Sequence, residues 1–374
     1  MTVDELLSET VGSARDRERA LFDRLVRVSG ERLVLFGAGV LGQKVLAALR
    51  SAGIEPLAFA DNNLESHGTM IANLPVLSPR EAAVRWGAEA IFVVTIFRAT
   101  GDDGMDARMA SLRRLGCRVV ISFLSVAWRF EGVLPHFGAD LPSRFLAHAE
   151  ELRRVHALWG DQLSRDTFRR QLAWRLQDDF SGVGAPVPDQ YFPKDLLRPN
   201  DEEVFVDGGA FDGDTLRRMP WSFSSAWAIE PDPQTVIALR KMNDVRIVVC
   251  ETALGVSAGE ALFDARGTIG SARSERGASR VRVSSLDGLL TESRPTFVKL
   301  DIEGDELTAL HGAQKMLRSA APVAAICVYH RPEDLWTIPL FLREVLPTHR
   351  LFLRIHERDG FELVAYAIPP ERLV

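Results

Sequence analysis

Cysteine is scarce in this chain of 374 residues: Cys117, Cys250 and Cys327 stand far apart in apolar surroundings. Three such thiols make neither a disulfide framework nor a zinc spacing, and they read as buried thiols of a cytoplasmic protein. No stretch reaches the roughly 20 apolar residues that span a bilayer, so no transmembrane helix is expected. The N-terminus, MTVDELLSETVGSARDRERALFDRL, is a charged amphipathic helix candidate that lacks the apolar core of a secretory signal. Positive charge is in deficit too, with 45 Lys and Arg against 51 Asp and Glu and a formal net charge of −6. No basic run is backed by aromatics, so nucleic acid is not an expected partner.

What the chain does have is a repeated alternation of strand and helix. Leu33 to Phe36, PLAFAD ending at Asp61, AIFVVTIF and CRVVISF are strand candidates with helical stretches between most of them. Such alternation predicts a parallel sheet covered on both faces. Residues 143 to 180 change to helical spacing, with Phe145, Ala149, Leu152, His156 and Trp159 on one face and Ser143 as an N-cap. Residues 182 to 201 hold four prolines and read as an irregular lead-in. From residue 203 the alternation resumes through VFVDGG, AWAIEP, RIVVCE, FVKLDIEG and PVAAICVYH. The chain then closes with HRLFLRIHERDGFELVAYAIP, an antiparallel hairpin turning at Asp359 and Gly360. The expected fold is α/β with two Rossmann-like domains, the C-terminal one a class I methyltransferase sheet closed by that hairpin. The expected divisions are 1–130, a helical lead-in over 131–200, and 201–374.

Two glycine turns follow strands, and they differ in charge. FGAGVLG carries Gly37, Gly39 and Gly42 with no acid, and Asp61 follows 19 residues after Gly42. That pattern predicts a phosphate at the helix N-terminus and a ribose at Asp61. EVFVDGGAFDGDT instead carries Asp207, Asp212 and Asp214, which would repel a phosphate. S-adenosylmethionine has no phosphate and presents an ammonium, a sulfonium and a ribose diol. Asp207 suits its cationic tail, Gly208, Gly209 and Gly213 let the backbone approach it, and Thr215 opens and caps the next helix. Glu230, 23 residues after Asp207 in AWAIEPDP, suits the ribose hydroxyls, with Asp232 and Pro233 starting a helix. The bland alternative makes Asp207 a helix-capping turn residue.

EVFVDGGAFDGDT, AIEPDP, SSLDGLL, FVKLDIEGDELTALHGA and CVYHRPEDLWTIPLFL, in that order, resemble the FkbM family of S-adenosylmethionine-dependent O-methyltransferases. The resemblance runs from about Gln190 to the C-terminus and implies methyl transfer to a hydroxyl of a sugar, glycan or related metabolite, as in polysaccharide biosynthesis. Gly208 departs from the commoner VDVGA form. FADNN…LPVLSP resembles the N-terminal nucleotide-binding domain of sugar-modifying acetyltransferases. This implies a nucleotide sugar in the first domain; NAD(P) and a ligand-free assembly module are the alternatives.

Four further residues bear on chemistry. Asp301 lies at a strand tip, with Lys299 on the same strand face and Glu303 in the following turn. They either orient an acceptor near the methyl group, with Lys299 tuning, or form a structural ion pair. His330 is placed to take the acceptor's proton, given an imidazole that titrates near neutrality, or else it caps the next helix. Arg354 and His356 on the hairpin are weaker acceptor contacts. Asp301, Glu303 and His330 lack a recognisable metal spacing, and no metal is assigned. The reading is a cytoplasmic methyltransferase acting on a small-molecule or glycan acceptor. Its rivals are an NAD(P)-dependent oxidoreductase using the first domain, and a non-catalytic ligand sensor.

Overall fold

LVLF at Leu33–Phe36 and IFVV at Ile91–Val94 are apolar throughout and buried at every position, as strands covered on both faces must be. The computed structural model describes residues 1–29, 32–98, 103–264, 272–273 and 279–374. It divides into two compact units: Met1–Arg153 with Thr167–Ala185 and Glu357–Phe361, and Arg154–Asp166 with Pro186–His356 and Glu362–Val374. No described helix is long and apolar enough to cross a membrane.

In the first unit, β1 (Leu33–Phe36), β2 (Ala58–Ala60), β3 (Met70–Ile71), β4 (Leu74–Leu77), β5 (Ile91–Val94) and β6 (Val119–Ser122) form one sheet. Its order is β3-β4-β2-β1-β5-β6, parallel except between β3 and β4. The helix Val40–Ser51 buries Leu41, Val45, Leu46 and Leu49, one apolar stripe at helical spacing. Residues beyond the expected boundary near 130 also pack in this unit. The Ser143 backbone N–H and hydroxyl donate to the Glu18 carboxylate at 2.6 and 3.1 Å. Arg175 donates to the Gly138 carbonyl at 2.8 Å, and Trp174 stacks on Phe180 with centroids 5.3 Å apart. Ser143 is therefore not the expected N-cap; it lies inside Pro142–Leu146, capped at Leu141, because Glu18 claims its polar atoms.

The same unit includes the tip of the C-terminal hairpin. Gly104 begins the helix Met105–Arg114 and offers no side chain to cap it. Asp359 substitutes: its carboxylate accepts the Met105 N–H at 2.8 and 2.9 Å and pairs with Arg108 at 3.2 Å.

The second unit holds two sheets. β7 (Glu203–Gly208), β8 (Phe223–Ile229) and β9 (Ile247–Cys250) come first in the chain. β10 (Ala253–Leu254), β11 (Gly259–Asp264), β12 (Ala272–Arg273) and β13 (Ser279–Ser284) form a small sheet of order β10-β13-β11-β12. β14 (Phe297–Leu300), β15 (Val323–Cys327), β16 (Arg350–Ile355) and β17 (Leu363–Ile368) then complete a seven-stranded sheet of order β16-β17-β15-β14-β7-β8-β9. Five strands run parallel, and β17 is antiparallel to both its neighbours. Sheet order and closing hairpin match the expected class I methyltransferase arrangement. Strand order reverses at β7, between β8 and β14, and ligands of open α/β sheets bind at the carboxyl ends of such a reversal.

Candidate active site

The turn after β7 is shaped first by the protein itself. Gly209 has φ +75°, and a Cβ there would lie 1.9 Å from the Asp301 carbonyl oxygen. Gly208 faces the Leu300 side chain in the same way, and Gly213 faces Met242. Gly208 and Gly209 thus let the tips of β7 and β14 meet, and Gly213 lets the turn pass close to Met242 and Leu239. Thr215 is buried at the second position of the helix Asp214–Arg218, whose N-cap is Gly213, so it does not cap that helix.

The three turn acids separate by partner. Asp212 and Asp214 form exposed ion pairs with Arg217 and Arg218. Asp207 is fully buried, and its Oδ1 lies 3.0 Å from Lys299 Nζ. β7 and β14 pair Asp207 directly with Lys299, which also donates to the Gly209 and Gly208 carbonyls at 2.7 and 3.1 Å. Burial alone would lower the Lys299 pKa; the carboxylates of Asp207 and Asp301 outweigh it and hold the ammonium charged. Lys299 therefore serves Asp207 first.

Glu230 follows β8 and ties the turn. Its Oε2 accepts the Phe211 N–H at 3.0 Å and its Oε1 the Asp232 N–H at 2.9 Å. Burial raises its pKa, and those two backbone bonds work against the rise. Each carboxylate oxygen has a second acceptor position, so a pair of hydroxyls can still be received. Asp232 caps the helix Pro233–Arg240 as expected, accepting the Gln234 N–H at 2.9 Å.

At the tip of β14 the acids gather around one imidazole. His330 Nδ1 lies 2.9 Å from Glu306 Oε1, and Nε2 lies 3.5 Å from Asp301 Oδ1 and 3.7 Å from Glu303 Oε2. Burial lowers the His330 pKa, but Glu306, Asp301 and Glu303 together push it up to about 10. This is a held imidazolium, unlike the near-neutral imidazole expected of a poised base. His330 does not cap the next helix either; Asp334–Val345 has Glu333 at its N-cap.

Tyr191 and Tyr329 pack at this tip with Tyr366 behind Tyr191, and none of the three was expected here. Tyr191 donates to Asp301 Oδ2 at 2.7 Å, with Lys299 Nζ 5.3 Å from its ring centroid. Tyr329 donates to Glu362 at 3.0 Å, and burial followed by Asp301 pushes Glu362 up to about 7. Tyr366 accepts the Tyr191 N–H at 3.0 Å and lies 2.8 Å from His356 Nε2. Glu306 was legible, three residues after Glu303 in the same motif. Tyr191 carried no local signal, since it lies in the proline-rich lead-in.

Arg354 and His356 do not join the site. Arg354 is 1% exposed and binds Asp161 at 2.6 Å and Asp195 at 2.7 Å. His356 Nδ1 faces the Val187 carbonyl at 2.8 Å, and burial lowers its pKa to about 4. Cys117 and Cys327 are buried as expected, whereas Cys250 is half-buried.

The first unit carries the second turn. Gly39 is the N-cap of Val40–Ser51, and a Cβ there would meet nothing within 4 Å. A Cβ on Gly42 would lie 2.0 Å from the Gly37 carbonyl, so Gly42 serves helix–strand packing. Gly37 takes φ +119° to make the turn. Asp61 accepts the Ala38 N–H at 2.8 Å and the Asn63 N–H at 2.8 Å, binding its turn much as Glu230 binds the other.

Among solved structures, a methyltransferase FkbM from Methylobacillus flagellatus KT is similar over 96% of this chain and 99% of that one. Its identity is 23% and its TM-score 0.77, which establishes a shared fold. RSP, a Rex-family repressor, covers 28% of this chain and 52% of its own at 19% identity, with a TM-score of 0.22 that carries no argument. No curated protein matches. Residues 207–362, the stretch that holds the glycine turn and the acids around His330, match the family model of the methyltransferase FkbM domain.

Proposed function

We propose that the second unit transfers a methyl group from S-adenosylmethionine to a hydroxyl of a sugar, glycan or related metabolite. The observation that carries this reading is Glu230, which ties the β7 turn through two backbone bonds and keeps acceptor capacity for a ribose diol. The buried Asp207–Lys299 pair holds that turn against β14. Asp301 and Glu303, about a quarter exposed, are open to an acceptor. One of them takes the acceptor's hydroxyl proton, while His330 orients them. The acceptor oxygen then bonds to the methyl carbon as the carbon–sulfur bond breaks, leaving a neutral thioether in S-adenosylhomocysteine. Calorimetric titration with S-adenosylmethionine, followed by a mass-spectrometric search of nucleotide sugars and glycans for a gain of about 14 Da (one methyl in place of hydrogen), tests the reading. Absence of cofactor binding would end it.

The open space at Gly39 favours a separate ligand in the first unit, a nucleotide sugar or NAD(P), at the N-terminus of Val40–Ser51. Calorimetry of wild type and Gly39→Val with UDP-glucose and with NAD tests it; binding to neither by the wild type makes the unit a scaffold.

A further inference from the structure

We propose that Asp301, Glu306 and His330 bind a divalent cation, of the manganese or magnesium type, at the tip of β14. Each offers one donor atom, and the three atoms lie within 4.8 Å of one another. They come from the end of β14, the helix Glu306–His311 and the segment after β15, so the sheet and not one loop sets their spacing. Glu306 is wholly buried. Its Oε1 is fixed by the Ile302 N–H at 2.8 Å, and its buried Oε2 has no hydrogen-bond partner among the described residues. A buried carboxylate oxygen left so costs several kcal/mol or more unless something charged meets it.

Charge points the same way. Asp301, Glu303 and Glu306 converge on one imidazole, and the nearby ammonium of Lys299 lies against Asp207. An imidazolium balances one of the three acids. A dication coordinated by a neutral imidazole balances two, and the carboxylates keep their places. Oxygen donors with one nitrogen favour manganese or magnesium over metals that need thiolates. A second grouping, Asp301, Cys327 and Glu362, is less suited: Cys327 is buried, its thiol is pushed well up by burial, and Tyr191 bonds Asp301 from that side. Side-chain exposures of 22% for Asp301 and 24% for Glu303 leave a route in.

For what the cation does, the inference rests on the methyl-transfer reading. It would bind the acceptor's hydroxyl oxygen and lower its pKa, so that the proton passes to Glu303 before the oxygen takes the methyl group.

The test uses the full chain after chelator treatment and dialysis. Manganese is titrated in and followed by the loss of its free paramagnetic resonance signal, with and without S-adenosylmethionine. One saturable site is expected, weakened at least tenfold in Asp301→Asn and in Glu306→Gln. The imidazole proton resonances of His330, assigned by their loss in His330→Gln, should broaden at substoichiometric manganese. That measurement needs no folded variant at the acids. Wild type without a saturable site, or a saturable site that leaves His330 sharp, overturns the proposal. Cofactor calorimetry and formation of S-adenosylhomocysteine are read separately, so failure of the cation and failure of methyl transfer are distinguishable.

Discussion

Asp178 follows the helix Gln162–Gln177 at φ +59°, a left-handed position that Asn tolerates better than most residues. Its carboxylate accepts the Ser122 and Ser125 hydroxyls, and burial pushes its pKa up to about 7. Near pH 4 and below, folded and unfolded chains both carry the proton. Between about pH 4 and 7 the unfolded chain releases it while the folded one keeps it, so this group's contribution falls as pH rises and is lowest above 7. Asp178→Asn removes the term and keeps an acceptor for the serines. Its melting temperature should match wild type near pH 4 and exceed it at pH 8, by the equivalent of about 2 kcal/mol after allowing for partial exposure. A gap that does not change with pH would refute this. At the cofactor, Glu230→Ala should weaken S-adenosylmethionine binding by about 2 kcal/mol, having lost a charged acceptor; calorimetry with unchanged affinity in a folded variant removes Glu230 from the site. Glu230 stood out in the sequence as an acid that ends a strand just before a proline, but its bonds to the Phe211 and Asp232 N–H groups were not legible there. Tyr191 did not stand out, because its partner is 110 residues away and the lead-in has no periodicity.

At the level of elements, the two glycine turns should respond to substitution in opposite ways. Gly209→Ala puts a Cβ against the Asp301 carbonyl at a positive φ, with strain at both. It should cost about 3 kcal/mol in urea unfolding and abolish cofactor binding. Gly39→Ala enters open space at φ −72° and should leave stability within about 1 kcal/mol of wild type. Equal losses would show that the turns are not built differently. The sequence pattern gave the parallel strands and the closing hairpin directly, since buried runs and a final alternating pair leave few other folds. It missed the small sheet β10-β13-β11-β12. SRVRVS in β13 alternates as a strand should, but the segment lies between two elements already assigned to the larger sheet.

For the whole chain, the division of the polypeptide matters more than its length. The expected start of the second domain at residue 201 leaves out Asp161, Asp195 and Tyr191. Without them Arg354 loses both carboxylates that hold it and the segments that help cover it. Asp301 would lose its tyrosine and Leu351 its bond to Gly160 at 2.7 Å. A fragment of residues 201–374 should therefore show no cooperative unfolding transition by circular dichroism; a sharp melt like that of the full chain would contradict this. These contacts were hidden from the sequence because they link segments far apart along it, and periodicity reports neighbours.

The cap that Asp359 supplies to Met105 spans 254 residues of chain. A ribosome adds about 5–20 residues per second, so the helix beginning at Met105 waits on the order of 10–50 s for its cap. Most two-unit proteins finish their first unit while the second is still being made. Here the first unit stays unfinished until Asp359 has been made, and the helix beginning at Met105 stays uncapped until then. A chain cut short anywhere before Asp359 therefore leaves both units incomplete.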